Sequence, residues 1–89
     1  MKPKRTKLEI IRDLLDLLQK NRKARITHLI YKGNLSNNSI KPYMEYLLKN
    51  KMIEEVMLED KRFFKITSKG NEFLIEFSKI KIFSESFGL

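Results

Sequence analysis

Apolar residues recur at three- and four-residue steps over residues 8–18 and again over 40–48. They give way to a β-prone block at 52–66 and return to helical spacing at 73–80. A change of hydrophobic period marks a change of secondary structure. Side chains line one face of a helix every three or four residues, whereas those of a strand alternate between two faces. The chain has 89 residues, 42% of them hydrophobic, which suffices for one small core. It has no cysteine, so no disulfide framework and no cysteine-based metal site is open to it.

The element boundaries are marked by capping chemistry. Thr6 followed by Glu9 is a capping-box spacing and predicts a helix from about Lys7. Leu8, Ile11, Leu14, Leu15 and Leu18 form its apolar stripe, and polar Lys20 to Lys23 ends it. Ile26, Leu29 and Ile30 predict a short second helix, with Gly33-Asn34 supplying the positive φ that stops it. Leu35 then reads as a core anchor. Ile40, Met44, Leu47 and Leu48 predict a third helix running to about Asn50. Its N-cap is Ser36 or, with less strain on Pro42, Ser39. The β-prone residues flank Glu59-Asp60-Lys61-Arg62, which reads as a hairpin turn. Thr67 is the expected N-cap of a last helix through Phe73, Leu74, Phe77 and Ile80.

Three helices, a two-stranded hairpin and a helix form the order of a winged helix-turn-helix, a mainly α fold with a small β-hairpin (α+β) and an extra C-terminal helix. The expected organisation is one winged-helix domain over 1–89. It comprises a basic arm at 1–6, helix-turn-helix and wing at 7–67, and a dimerisation helix with tail at 68–89.

Charge then points to a partner. The net charge is +8, and residues 1–51 carry thirteen basic and four acidic side chains, against six and seven in 52–89. Basicity concentrated in one half is the footprint of a surface that meets a polyanion. The second helix of a helix-turn-helix lies in the major groove with its first residues at the base edges. Here those residues are Ser36, Asn37, Asn38, Ser39 and Lys41. Asn bonds an adenine edge through two groups, Lys donates to guanine, and Ser serves base or phosphate. Lys2, Lys4 and Arg5 read as a flexible arm on phosphate or in a minor groove, and Arg22, Lys23 and Arg25 as backbone contacts ahead of the second helix. Lys61 and Arg62 sit at the wing tip, where nearby Glu54, Glu55, Glu59 and Asp60 repel phosphate, so the wing is expected to contribute less.

The segment Asn34-Leu35-Ser36, then Ile40, then Tyr43 through Ile53 resembles the recognition-helix region of small archaeal winged-helix proteins. The ending Phe64-Lys65-Ile66-Thr67-Ser68-Lys69-Gly70 is similar to their strand-to-helix junction. The resemblance is to the dimeric ten-kilodalton "a" type of archaeal DNA-binding proteins and covers roughly residues 7–80. It implies a transcription regulator or chromatin protein that dimerises through the last helix. One departure is Asn50-Lys51, where relatives usually carry a glycine; Asn50 is expected to take the left-handed conformation instead.

Four of the six phenylalanines, Phe73, Phe77, Phe83 and Phe87, follow Gly70. With Ile80 they form the expected dimer seam, since positions 73, 77 and 80 step by four and three. His28 reads as a partly buried helix residue, and Tyr31, Tyr43 and Tyr46 as core or core-edge residues. No phosphate loop, nucleophile motif or metal spacing is present, so no enzyme activity and no cofactor is expected. Neither a membrane span nor a signal peptide is legible, which makes the expected location cytoplasmic. The expected function is binding of double-stranded DNA as a homodimer. The rival is a winged-helix protein-interaction module, favoured by the acidic wing and aromatic C-terminal region. RNA binding ranks third, for want of an aromatic stacking strand.

Overall fold

The computed structural model describes residues 5–88. Its elements are α1 (Lys7–Asn21), α2 (Ile26–Gly33), α3 (Asn37–Lys49), β1 (Ile53–Leu58), β2 (Lys61–Ile66) and α4 (Ser68–Ser86). This is the winged-helix order read from the sequence.

The capping box at α1 is complete: the Thr6 hydroxyl accepts from the Glu9 N–H at 3.1 Å, and Glu9 Oε1 accepts from the Thr6 N–H at 3.0 Å. Hydrogen bonds from Thr6, the backbone first and the side chain second, hold the Glu9 carboxyl below the usual carboxylate range. A carboxyl whose pKa is lowered by folding stabilises the fold above its unfolded value. That contribution disappears as pH falls through the folded one. Leu14, Leu15 and Leu18 on the opposite face are fully buried.

The end of α2 is as expected, and that of α3 is not. At α2 the left-handed residue is Asn34 alone (φ 55°), whose N–H reaches the Ile30 and Tyr31 carbonyls, while Gly33 is the last helical residue. A Cβ on Gly33 would stand 3.3 Å from Leu14 Cδ2, so its smallness serves the approach of α2 to α1. After α3, Asn50 stays right-handed (φ −87°, ψ 4°) and Lys51 takes the positive φ of 58°. The asparagine expected to turn the chain instead donates its side-chain amide to the Tyr46 carbonyl at 2.9 Å.

The N-cap of α3 is Ser36, not Ser39. Ser36 Oγ accepts from the Ser39 N–H at 3.0 Å and Ser39 Oγ from the Ser36 N–H at 2.8 Å, so both serines belong to one capping box. Pro42 therefore lies inside the helix. The hairpin turn is also tighter than expected. Only Glu59 (φ 50°) and Asp60 (φ 63°) form it, the two positive φ values of a two-residue I′ turn. Lys61 and Arg62 are strand residues, paired with Leu58 and Met57. On its other edge β2 bonds Ala24, with Ala24 N–H to the Phe64 carbonyl at 2.9 Å and Phe64 N–H to the Ala24 carbonyl at 2.8 Å.

The core joins Leu14, Leu15 and Leu18 of α1 to Leu29, Ile40, Leu47, Ile53 and Phe64, and α4 adds Leu74. Leu74 thus docks inward, off the Phe73–Phe77–Ile80 line. Thr67 caps α4, its hydroxyl accepting from the Gly70 N–H at 3.2 Å and donating to the Lys51 carbonyl at 2.6 Å. Among the described residues no polar or charged residue is buried.

Gly70 supplies a test. A Cβ there would collide with the Met52 carbonyl oxygen and stand 2.6 Å from Ile66 Cγ1. On propensity alone, alanine in a helix gains about 1 kcal/mol over glycine. Overpacking against backbone reverses the sign, so Gly70→Ala should destabilise by about 1–3 kcal/mol in urea unfolding.

Candidate nucleic-acid interface

Because α3 buries Ile40, Met44 and Leu47, helical geometry turns Asn38, Pro42, Glu45 and Lys49 outward, with Lys41 between that face and the wing. All five are exposed. The capping box occupies the Ser39 N–H and leaves those of Asn37 and Asn38, at the positive end of the helix dipole, open to water or an anion. Ser36 and Ser39 are committed to capping one another.

A groove of about 520 Å³ separates α3 from the wing. Asn37, Lys41, Glu45 and Arg62 line it above Ile40, Met44 and Phe64. Arg62 is shared: its guanidinium pairs with Glu55 at 3.0 Å and lies over the Phe64 ring at 4.9 Å. On the hairpin's other face Lys65 pairs with Glu54 at 3.0 Å. The wing thus neutralises much of its own charge, and its tip is Glu59-Asp60.

The remaining candidate cations do not gather at α3. Alternation along β2 places Phe63 on the face opposite Phe64 and Arg62, together with Lys61. Lys23 Nζ lies 5.3 Å and the Arg25 guanidinium 5.8 Å from the Phe63 ring centre. These residues enclose a shallow depression with Asn21 and His28, and His28 Nε2 is enclosed there with no hydrogen-bond partner. His28 is half-buried, as expected. Arg22 is the exposed C-cap of α1. Two basic groups therefore stand on the two faces of the wing: Lys41 and Arg62 beside α3, and Lys23, Arg25 and Lys61 behind it.

Arg5 is not part of a free arm. Its Nη1 pairs with Asp13 Oδ2 at 2.8 Å and its Nη2 donates to the Gly33 carbonyl, stapling the start of the described chain to α1 and α2. Lys2 and Lys4 lie outside the described residues. Tyr43 is half-buried, but Tyr31 is 78% and Tyr46 44% exposed, so those two are surface rather than core-edge residues. An aromatic on a helix shoulder satisfies a three-four spacing without facing the core, which is why the pattern misplaces them. Sequence reasoning also missed Glu45 and Lys49, whose signal was spacing: they follow Asn38 and Lys41 at seven and eight residues on the same helix.

Along α4, Phe77 is half-buried beneath the Arg12 guanidinium at 5.5 Å and stacks on Phe73 at 6.1 Å. Ile80, Phe83 and Phe87 are 66%, 59% and 68% exposed. Among the described residues no group of three His, Asp or Glu side chains stands close enough to hold a metal, and no helix is long and apolar enough to cross a membrane.

Residues 4–85 match the model of the winged helix-turn-helix family. The chain belongs to that family. It is similar to Sso10a-2, a DNA-binding protein from Sulfolobus solfataricus, at 25% identity over 94% of this chain and 87% of that one, with a TM-score of 0.77. It shares its fold with F93 from STIV, a winged-helix DNA-binding protein, at 17% identity over 86% and 90% of the two chains and a TM-score of 0.68. These matches bear out the resemblance to small archaeal winged-helix proteins. No curated protein sequence matches the chain.

In this winged helix the position of Asn37 and Asn38 depends on the Ser36 cap. Ser36→Ala should cost about 1 kcal/mol in urea unfolding, and Ser36→Asp, which keeps an acceptor, should recover most of it.

Proposed function

We propose that this winged-helix chain binds double-stranded DNA as a homodimer, with α3 in the major groove, in the role of a transcription regulator or chromatin-associated protein. The observation that carries the reading is the outward face of α3. It begins with Asn38 at a capped helix N-terminus and is flanked on its wing side by Asn37 and Lys41, in a chain whose basic excess lies in residues 1–51. The likeness to Sso10a-2, itself a DNA-binding protein, supports it.

The division of labour follows from chemistry. Asn37, Asn38 and Lys41 take base edges, since amide and ammonium groups match the donors and acceptors of the major groove. Ser36 and Ser39 hold the helix start, and their turn presents free amides to a phosphate. Arg22, Lys23, Arg25 and Lys61, with Lys4, contact flanking backbone. Arg62 contributes less because Glu55 shares its charge. Phosphate contacts position the protein and base contacts specify the site.

Dimerisation accounts for α4. A row of exposed large apolar side chains marks an interface, and here Ile80, Phe83 and Phe87 continue the line begun by Phe73 and Phe77. A two-fold dimer sets two recognition helices about 34 Å apart, one turn of DNA.

Two measurements test this. If a dimer neutralises about six to ten phosphates, affinity for duplex should fall about 10³- to 10⁵-fold between 50 and 200 mM salt. Binding indifferent to salt refutes the electrostatic account. Phe83→Glu, at an exposed position, should give a folded monomer in sedimentation with much weaker duplex binding. A wild-type chain that stays monomeric at high micromolar concentration ends the dimer proposal.

A further inference from the structure

Glu45 is the one acidic residue of α3 and lies at the centre of its outward face, seven residues after Asn38 and four from both Lys41 and Lys49. It is exposed. Among the described residues, Asp13, Asp16, Glu54, Glu55 and Glu76 have ion pairs, and the other six acidic side chains, Glu45 among them, have none. Glu45 has none among the described residues, although a lysine stands one turn away on each side. It also lines the groove shared by Asn37, Lys41 and Arg62. An unpaired carboxylate in the middle of a surface that meets phosphate weakens binding to every sequence. What sets Glu45 apart from the other unpaired acids is this place on α3, where a donor on the DNA can pair it.

We infer that Glu45 is a specificity-determining residue, accepting a hydrogen bond from the exocyclic amino group of a cytosine in the major groove. The inference rests on the DNA-binding reading proposed above. The base edges leave little choice. A carboxylate only accepts. Guanine presents two acceptors, thymine an acceptor and a methyl group, and adenine sets its donor beside the N7 acceptor. Cytosine alone offers an amino donor with no neighbouring acceptor. Seven residues of helix rise about 10 Å, and a helix lying along the groove spans roughly two to three base steps over that length, so the cytosine lies about two to three steps from the base read by Asn38. Glu45 thereby acts in two ways. It rewards one base pair and lowers affinity for all others, which widens the ratio between specific and random sites.

The test is selection of bound sequences from a randomised duplex library by the wild type, Glu45→Ala and Glu45→Gln, with affinities measured on the selected site and on random duplex. Both variants keep a good helix former at this exposed position. The wild type should enrich one cytosine column. Glu45→Ala should lose that column, lower discrimination there roughly tenfold or more, and bind random duplex more tightly than the wild type. Glu45→Gln, which both donates and accepts, should shift the column toward adenine. If Glu45→Ala and the wild type select the same motif, or the wild type binds duplex without selecting any cytosine, the inference is overturned and the DNA-binding reading stands. If the wild type binds no duplex even at low salt, the reading itself fails and the inference with it.

Discussion

Thr67 holds α3 and α4 in one frame. Its N–H bonds the Met52 carbonyl at 3.0 Å and its hydroxyl the Lys51 carbonyl at 2.6 Å, so the N-cap of α4 is fastened to the two residues that join the end of α3 to β1. Gly70, one turn on, packs against the same Met52 carbonyl with no room for a side chain. The hairpin between them is consequently a closed excursion, leaving and re-entering the core at neighbouring points. Ile53 pairs with Ile66 at its base, and Phe64 fills the space under it while bonding Ala24 on the far edge. The outward face of α3 and the exposed end of α4 therefore keep a fixed relation, set by a handful of backbone hydrogen bonds.

Most of this architecture was legible because local and tertiary preferences agree. Thr6 with Glu9, the leucine stripe of α1 and the Thr67 cap each propose a boundary that packing then uses. The misreadings share a cause: side chains that satisfy a local rule in more than one way. Asn50 is a good left-handed residue, yet it stays right-handed with its amide on the Tyr46 carbonyl, and the positive φ falls to the exposed Lys51. Ser36 and Ser39 are each competent caps, and what decides between them is that both are satisfied together only when Ser36 leads. Proline tolerance favoured Ser39, but the reciprocal serine pair outweighs one missing helix hydrogen bond. The turn residues Glu59 and Asp60 carry no glycine signal, so the register of the hairpin rather than its turn chemistry places them.

Legibility of the candidate interface was uneven for a different reason. The polar start of α3 is contiguous in sequence and so is visible. The grouping of cations is not, because it depends on which face of β2 each neighbour takes. Arg62 and Lys61 are adjacent in sequence and lie on opposite faces of the wing, one beside α3 and one beside Phe63 with Lys23 and Arg25. Arg5 belongs by sequence to a basic N-terminal run and by structure to Asp13 and the end of α2. Charge counted along the chain gives a total, whereas the fold decides how much of it remains available. Ion pairs to Glu54 and Glu55 leave the wing much less basic than its lysines and arginines would suggest.

Pro42 divides α3 energetically. It has no N–H for the Asn38 carbonyl, so one rung of the helix ladder is missing just where the first turn meets the rest. The segment from Ser36 to Lys41 is secured mainly by its serine capping box and by the buried Ile40, while the segment beyond Pro42 is secured by Met44 and Leu47 in the core. Local opening follows such seams. The first turn of α3 accordingly depends on the serine pair and on Ile40 for its place, and loss of either frees the turn without unfastening Met44 and Leu47.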